Sequence, residues 1–290
     1  MNITIASLSL SSLDSFSPLF CNLKLHIEKL SFRYYVPTLI LNPIKIHKSE
    51  ITNGIGSIII SKNDKNYKNF EQDKFTDLTF DDSNFTYIEN QEQLIFISDC
   101  KFIKIAIYSN PLIFHHDAVF YMTKCIFNTI QVYRAILDID IFSTTITHIC
   151  FSNLTIVSSS DGILRADFPG ETFFKFIYST IYEFNDEYMN SDVFTLNGRS
   201  SFQYQCVNIS ITKSYYLMRL YGPLCCSMFM NTFYRCESRI TILMNIQEYY
   251  PSMHSIGYSN FIHNKWNECL FQYDMHAGSQ TSLENCVIFL

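Results

Sequence analysis

The sequence predicts an all-β fold, a single-stranded parallel β-helix of about ten coils, and three observations lead to this prediction. A short motif recurs about every 26 residues along most of the chain. The segments between the motifs alternate between apolar and other residues with the period of two that is typical of strands. Isoleucine, phenylalanine, tyrosine, valine and threonine, which favour strands, dominate these segments.

The repeated motif is an apolar residue, two free positions, a cysteine or serine, one free position and a second apolar residue. Ile97–Phe102 and Met122–Phe127 both fit it. We call the last apolar residue the anchor, and the predicted anchors are Ile51, Phe75, Phe102, Phe127, Leu154, Ile181, Val207, Phe233, Phe261 and Ile288. A period between about 20 and 50 residues indicates a solenoid, and the leucine-rich repeat, the competing solenoid, has a different signature and a shorter period.

The coils are predicted to consist of strands because no segment has a helical stripe of apolar residues with caps. Phe102–Tyr108 and Phe202–Ile209 are predicted strands with period-two alternation. About 26 residues accommodate three short strands and three corners. We expect asparagine, aspartate and serine to form the corners, with Asp161–Gly162 and Asn197–Gly198 as two of them.

The ten cysteines follow the repeat rather than a redox motif. Cys100, Cys125 and Cys150 are 25 residues apart, and no CxxC pair is present to suggest a zinc ribbon. A residue two positions before the anchor shares the anchor's side of the strand. We therefore expect an inner ladder of buried thiols and hydroxyls, with disulfides as the alternative.

The repeat covers residues 45–290, and residues 1–44 fit it poorly. We expect residues 1–44 to cap the first coil or to form an irregular first coil, because solenoids need caps. The sequence stops at an anchor, Cys286–Ile288. This predicts either end-to-end self-association or a chain that is a fragment of a longer product.

The motif and its punctuation by cysteine and phenylalanine resemble right-handed parallel β-helix proteins of the pectate-lyase-like superfamily. More narrowly, they resemble the repetitive β-helix families that some parasitic protists encode. The resemblance covers about residues 45–290 and implies a right-handed coil, as does the rule for parallel crossovers. It also implies a cell-surface or secreted protein.

The composition argues against several classes of partner. The net charge of −6 offers no basic surface to nucleic acid. No apolar run approaches the roughly 18 residues of a membrane span, and the N-terminus lacks the pattern of a signal peptide. We predict no cofactor and no metal. The sequons at Asn2, Asn84, Asn153 and Asn208 permit glycosylation without requiring it.

Charged residues at equal offsets from the anchors form the candidate site, because stacking makes them neighbours. Asp138, Arg165 and Asp192 lie eleven residues after three successive anchors. The second set, at an offset of thirteen, consists of His115, Asp140 and Asp167. The simpler interpretation is a solvated column of ion pairs.

The alternative interpretation is catalytic. Stacked carboxylates such as Asp140 and Asp167 shift one another's pKa or recruit a cation, and paired carboxylates beside Arg165 suit a glycoside hydrolase or a lyase. His115 is a further candidate binding residue, although a metal site there lacks a third ligand. The Gly-His-Gly and Arg-x-Lys motifs of polysaccharide enzymes with this fold are absent.

Two functions follow as hypotheses. The first is a non-catalytic, surface or adhesion-type protein that presents a flat face to glycans or proteins, with aromatic side chains supplying contact area. The second is a carbohydrate-active lyase or hydrolase that uses Asp138, Asp140, Arg165, Asp167 and Asp192.

Overall fold

The computed structural model of the 290-residue chain is a parallel β-solenoid of about six turns with a period of about 27 residues. It describes residues 93–107, 111–157, 162–186, 188–223, 225–245, 253–274 and 279–289, and before residue 93 only the backbone of strands. Within these ranges, the described side chains exclude those of 93–96, 107, 114–118, 140–142, 169 and 245. Every regular element in the described residues is a β-strand.

The strands run in parallel from one coil to the next. Before residue 93 they are β1 (Asn2–Ile5), β2 (Leu8–Leu13), β3 (Lys24–Ile27), β4 (Leu30–Tyr35), β5 (Ile40–Leu41), β6 (Lys45–His47), β7 (Glu50–Gly54), β8 (Ile59–Ile60), β9 (Lys68–Glu71) and β10 (Lys74–Phe80). The next are β11 (Gln93–Ser98), β12 (Lys101–Ile107), β13 (Ile113–Thr123), β14 (Ile126–Val132), β15 (Leu137–Thr147), β16 (Cys150–Ile156), β17 (Leu164–Ile177), β18 (Thr180–Asp186) and β19 (Asp192–Gln205). The last are β20 (Asn208–Tyr221), β21 (Cys225–Phe229), β22 (Thr232–Tyr234), β23 (Glu237–Asn245), β24 (Met253–Gly257), β25 (Asn260–Ile262), β26 (Lys265–Asp274), β27 (Gln280–Glu284) and β28 (Val287–Phe289).

Each coil has three faces, which we number in chain order. Face 1 contains β11, the second halves of β13, β15, β17 and β19, then β21, β24 and β27. Face 2 contains β12, β14, β16, β18, the first half of β20, then β22, β25 and β28. Face 3 contains the first halves of β13, β15, β17 and β19, the second half of β20, then β23 and β26.

The corner between faces 1 and 2 is a single residue with left-handed backbone, φ between 51° and 57°. These corner residues are Asp99, Lys124, His148, Tyr178, Cys206, Met230, Tyr258 and Asn285. A second left-handed column lies five residues further on: Lys104, Thr129, Asn153, Glu183, Ile211, Arg235 and His263.

At this corner the expected asparagine, aspartate and serine residues are mostly absent, and the predicted corner residue Asp161 lies outside the described residues. The chain adopts this conformation because backbone hydrogen bonds between coils impose it. The N–H of each corner from Asp99 to Tyr258 donates to the last carbonyl of face 1 in the next coil, at 2.9–3.1 Å. The predicted strand Phe202–Ile209 is broken by the corner at Cys206. Asn197–Gly198 lies within β19 at the bend where its face 3 half ends and its face 1 half begins, so this predicted corner is present although no strand ends there.

The predicted anchors hold in most coils and fail in two. Phe102 pairs with Phe127, which pairs with Phe151, so the predicted anchor Leu154 is three residues late. Ile209 takes the place of the predicted anchor Val207. The coil from Phe151 to Ile181 contains 30 residues. Anchors predicted with a nearly constant spacing of about 26 residues are therefore misplaced where the coils differ in length.

The anchors form the axis of the core. Phe102, Phe127 and Phe151 are buried, and their rings stack with centroids 4.6 and 4.7 Å apart. Phe233 and Phe261 stack in the same way at 4.8 Å, with their ring planes 2° apart. Stacking of identical positions is the packing that a parallel solenoid imposes.

The predicted inner ladder lies immediately after the corner, where five of its eight described positions hold the expected thiol or hydroxyl and the other three hold Ile149, Val207 and Asn231. Its members are Cys100, Cys125, Ile149, Ser179, Val207, Asn231, Ser259 and Cys286. Cys125 is fully buried, and its thiol donates to the carbonyl of Thr123 at 3.2 Å. The nine described cysteines are all thiols. Cys150 and Cys206 lie outside this ladder, so the regular spacing of Cys150 is a coincidence of sequence.

Residues 1–44 contain strands that pair in parallel, β1 with β3 and β2 with β4. The side chains that would show whether this segment caps the solenoid lie outside the described residues, as do the sequons at Asn2 and Asn84. The prediction of an N-terminal cap therefore stays a prediction.

Candidate functional site

The candidate site is a set of charged side chains on the outer side of face 3. Asp138 pairs with Arg165 and Asp140 pairs with Asp167 in the register between β15 and β17. Odd and even positions of a strand point to opposite sides, and Ala166, between the two β17 residues, is fully buried. Arg165 and Asp167 therefore point outward, where each side chain is about two-fifths exposed (42% and 38%).

Asp167 is held by two donors of this chain. Arg165 Nη2 donates to Asp167 Oδ2 at 3.4 Å. Asn197 Nδ2, from the next coil, donates to Asp167 Oδ1 at 3.1 Å. Both carboxylate oxygens thus have protein partners, and this half-exposed ion pair has the modest energy of a surface salt bridge. The side chain of Asp140 lies outside the described ones.

Two residues, His115 and Asp192, do not occupy their predicted positions in the charged columns. The register places His116, and not His115, beside Asp140, because the connection from face 2 to face 3 is one residue shorter in the next coil: Ile107 pairs with Val132, whereas Ile113 pairs with Leu137. His115 pairs with Ile139 instead. Its side chain is also outside the described ones.

Asp192 is the second displaced residue. Arg165 pairs with Thr195 rather than with Asp192, because the anchor in the preceding coil is Phe151 and the coil is longer than expected. Asp192 is 1% exposed, whereas the prediction placed it in a solvated column. The predicted Asp138–Arg165–Asp192 column is therefore wrong at its third member.

Asp192 instead forms a buried ion pair with Arg219. Arg219 Nη1 donates to Asp192 Oδ2 at 3.3 Å, and Thr195 Oγ1 donates to the same oxygen at 2.9 Å. Burial raises the pKa of the Asp192 carboxyl to about 6, and the charge of Arg219 and these hydrogen bonds offset this only in part. The other oxygen, Oδ1, is buried and has no hydrogen-bond partner among the described residues.

Aromatic rings surround the Arg219 guanidinium. Its Cζ atom is 4.8 Å from the ring centroid of Tyr221 and 5.3 Å from that of Tyr216, both within the range of a cation–π contact. Tyr221 pairs with Asn197, so the ring continues the outward column of Asp167 and Asn197. Face 3 therefore presents alternating acidic, amide, basic and aromatic groups.

Sequence reasoning missed Asn197, Arg219 and Tyr221. Asn197 was interpreted as a corner because glycine follows it. The other two lie 12 and 14 residues after the predicted anchor Val207, so neither has the offset of eleven or thirteen that defines the predicted columns.

A shallow cavity of about 360 Å³ is lined by Arg235, Cys236, Glu237, His263 and Lys265, where face 2 turns into face 3. Among the described residues, no group of three or more histidine, cysteine or acidic side chains is placed to hold a metal ion.

Comparisons of the chain with protein-family models, with curated proteins and with solved structures found no match. In the described part of the chain, no helix is long and apolar enough to cross a membrane.

Proposed function

We propose that this protein is a non-catalytic binding protein that presents the long outer faces of its solenoid to glycans or proteins at a cell surface. One observation carries the proposal. The charged side chains on face 3 satisfy one another along the strands, as Arg165 and Asn197 do with Asp167, and they form an open ladder. An open ladder of polar and aromatic groups suits contact with a partner over several coils.

Catalysis by the same residues has less support. A general acid or base needs a carboxylate that is free to exchange a proton with substrate, whereas both oxygens of Asp167 already accept hydrogen bonds. The Asp192 carboxyl is buried against Arg219 and Thr195 and has little access to a substrate.

The proposal includes the finer features of the fold. We infer a right-handed coil, as the crossover rule for parallel strands favours, and about ten coils, with the parallel strands before residue 93 as the first ones. The pectate-lyase-like and protist β-helix families remain the proposed relatives, on the basis of the repeat pattern.

A glycan array and a surface-protein pull-down, combined with a reducing-end assay on polysaccharides, test this function. We expect saturable binding to at least one ligand without release of reducing ends. No binding to either class of ligand would refute the proposal.

A carbohydrate-active enzyme is the second candidate, since Asp140 and Asp167 occupy neighbouring positions in register. Reducing-end release that disappears in the double variant Asp140→Asn/Asp167→Asn would establish this alternative. Release that survives the double variant would exclude these two residues as its catalysts.

A further inference from the structure

A row of exposed side chains follows the left-handed corner between faces 1 and 2. We call His148, Tyr178, Cys206, Met230 and Tyr258 the corner ridge. Tyr178, Met230 and Tyr258 are 48%, 56% and 56% exposed. Hydrogen bonds between coils fix successive corners in register, so the side chains follow one another at the coil spacing of about 4.8 Å.

Neighbouring members of the corner ridge contact one another. The rings of His148 and Tyr178 stack with their centroids 5.2 Å apart and their planes 28° apart. Cys206 Sγ lies 4.0 Å from Met230 Sδ. Four of the five ridge side chains therefore form two contacting pairs, one of stacked rings and one of sulfur atoms.

The residue types on the ridge conflict with the local backbone. A left-handed conformation favours glycine and, after it, asparagine or aspartate, because a Cβ crowds the following carbonyl. Tyr178, Met230 and Tyr258 have no such preference. Their half-exposed side chains also contribute little to the core. Residues that break a local rule without a packing benefit point to a functional site.

Gly257 leaves space for the ring of Phe229, which lies beside the corner ridge. Phe229 precedes Met230, and its ring lies over Gly257 of the next coil. A Cβ on Gly257 would be 2.7 Å from Phe229 Cε1 and 3.0 Å from Cδ1. Gly257 lacks the positive φ that would require glycine, so the absence of its side chain serves the flat placement of the Phe229 ring.

The strip around the ridge carries no formally charged side chain at neutral pH. On the face 1 side the flanking residues are Thr147, Ile177, Gln205, Phe229 and Gly257. On the face 2 side they are Cys150, Thr180, Asn208, Thr232 and Asn260. The strip contrasts with face 3, where acidic and basic groups alternate, and its lack of charge suits a partner without charge.

We propose that the corner ridge binds a neutral, extended glycan, whose sugar rings stack on Tyr178, Phe229 and Tyr258. The hydroxyl groups of the sugars meet the amides and hydroxyls that flank the ridge, such as Asn208 and Asn260. The coil spacing is close to the length of one hexose ring, so successive sugars advance with successive coils. This inference rests on the proposed binding function and narrows it to one surface and one class of ligand.

Titration calorimetry with neutral hexasaccharides tests the inference on the full chain. The probes are cellohexaose, xylohexaose and mannohexaose, with hexagalacturonate as the charged comparator. The double variant Tyr178→Gly/Tyr258→Gly removes both rings and leaves a residue that favours the corner backbone. Lys124→Gly is the matched control, because it makes the same change at a corner outside the ridge.

We expect at least one neutral probe to bind, at least tenfold weaker binding by the double variant, and unchanged binding by Lys124→Gly. Thermal unfolding should show that the double variant is no less stable than the wild type, which separates a binding role from a structural one.

Unchanged binding by the double variant, stronger binding of hexagalacturonate, or binding of proteins alone would overturn the inference and leave the broader binding function in place. If the chain binds neither glycans nor proteins, both the inference about the corner ridge and the proposed binding function are refuted.

Discussion

The early and the later described coils have the same backbone repeat and different interiors. In residues 97–157, the buried polar side chains are Ser98 and Thr144. Between residues 162 and 274, thirteen polar or charged side chains are buried, including Asp192, Asn231 and His254. One solenoid thus accepts both a nearly dry interior and a polar one.

The inner ladder shows how some of the buried polar groups in the later coils find hydrogen-bond partners. Ser179 Oγ accepts the backbone N–H of Ile149 at 3.1 Å. Asn231 Oδ1 accepts the N–H of Val207 at 3.0 Å, and Asn231 Nδ2 donates to the carbonyl of Tyr204 at 3.4 Å. Side chains with oxygen therefore link coils along the axis. The buried thiols of the early coils are weak acceptors and mainly fill space.

We expect the largest loss of stability from a variant that removes a hydrogen-bonding side chain of the inner ladder in the later coils. Asn231→Ala leaves the Val207 N–H and the Tyr204 carbonyl without their amide partner in a buried site. We expect it to lower the free energy of unfolding by about 4 kcal/mol, about 2 for each buried group. Urea denaturation followed by circular dichroism measures the change.

The matched variant is Cys125→Ala in the early coils, where the thiol fills space and we expect a loss of about 1 kcal/mol. Equal losses for the two variants would contradict the contrast between a polar ladder and a space-filling one.

The buried carboxyl of Asp192 in the later coils should make the free energy of unfolding depend on pH. Its pKa rises from 3.8 in the unfolded chain to about 6 in the fold, so between about pH 4 and pH 6 the folded chain keeps a proton that the unfolded chain has lost. The free energy of unfolding should therefore fall by about 3 kcal/mol as pH rises through this window. Asp192→Asn removes this dependence.

His254 acts in the opposite direction, because burial lowers its pKa from 6.5 to about 4. The folded chain binds fewer protons than the unfolded chain in that range, so this histidine makes stability rise with pH. Both the wild type and Asp192→Asn contain His254, so its contribution cancels when the stability of the variant is subtracted from that of the wild type at each pH. Parallel profiles for the two proteins would refute the assignment to Asp192.

We expect the smallest effect when a thiol of the inner ladder is replaced by a hydroxyl group. Cys125→Ser places an oxygen in an early coil where Ser179 has one in a later coil. We expect the free energy of unfolding to change by less than about 1 kcal/mol, since the hydroxyl can donate to the Thr123 carbonyl as the thiol does. Thermal melts detect such a change, and a loss of several kcal/mol would show that the two regions are not interchangeable.

Prediction from the sequence succeeded for features that depend on residue type at short range. The solenoid, the strands such as β12, the stacked Phe102 and Phe127, and the buried Cys100 and Cys125 follow from period-two alternation and from a repeated motif. The candidate site was recovered in part. The pairs Asp138–Arg165 and Asp140–Asp167 lie in register as expected, whereas His115 and Asp192 do not belong to their columns.

The sequence by itself determined the class of fold, because apolar residues two positions apart must share one side of a strand and a regular repeat must stack them. Only the tertiary structure decided the register between coils of unequal length, since backbone hydrogen bonds between coils set it. The same bonds impose left-handed corners on residues such as Tyr178 and Met230, which carry no local signal for that conformation. They also unite Asp192 with Arg219, which are 27 residues apart in the chain.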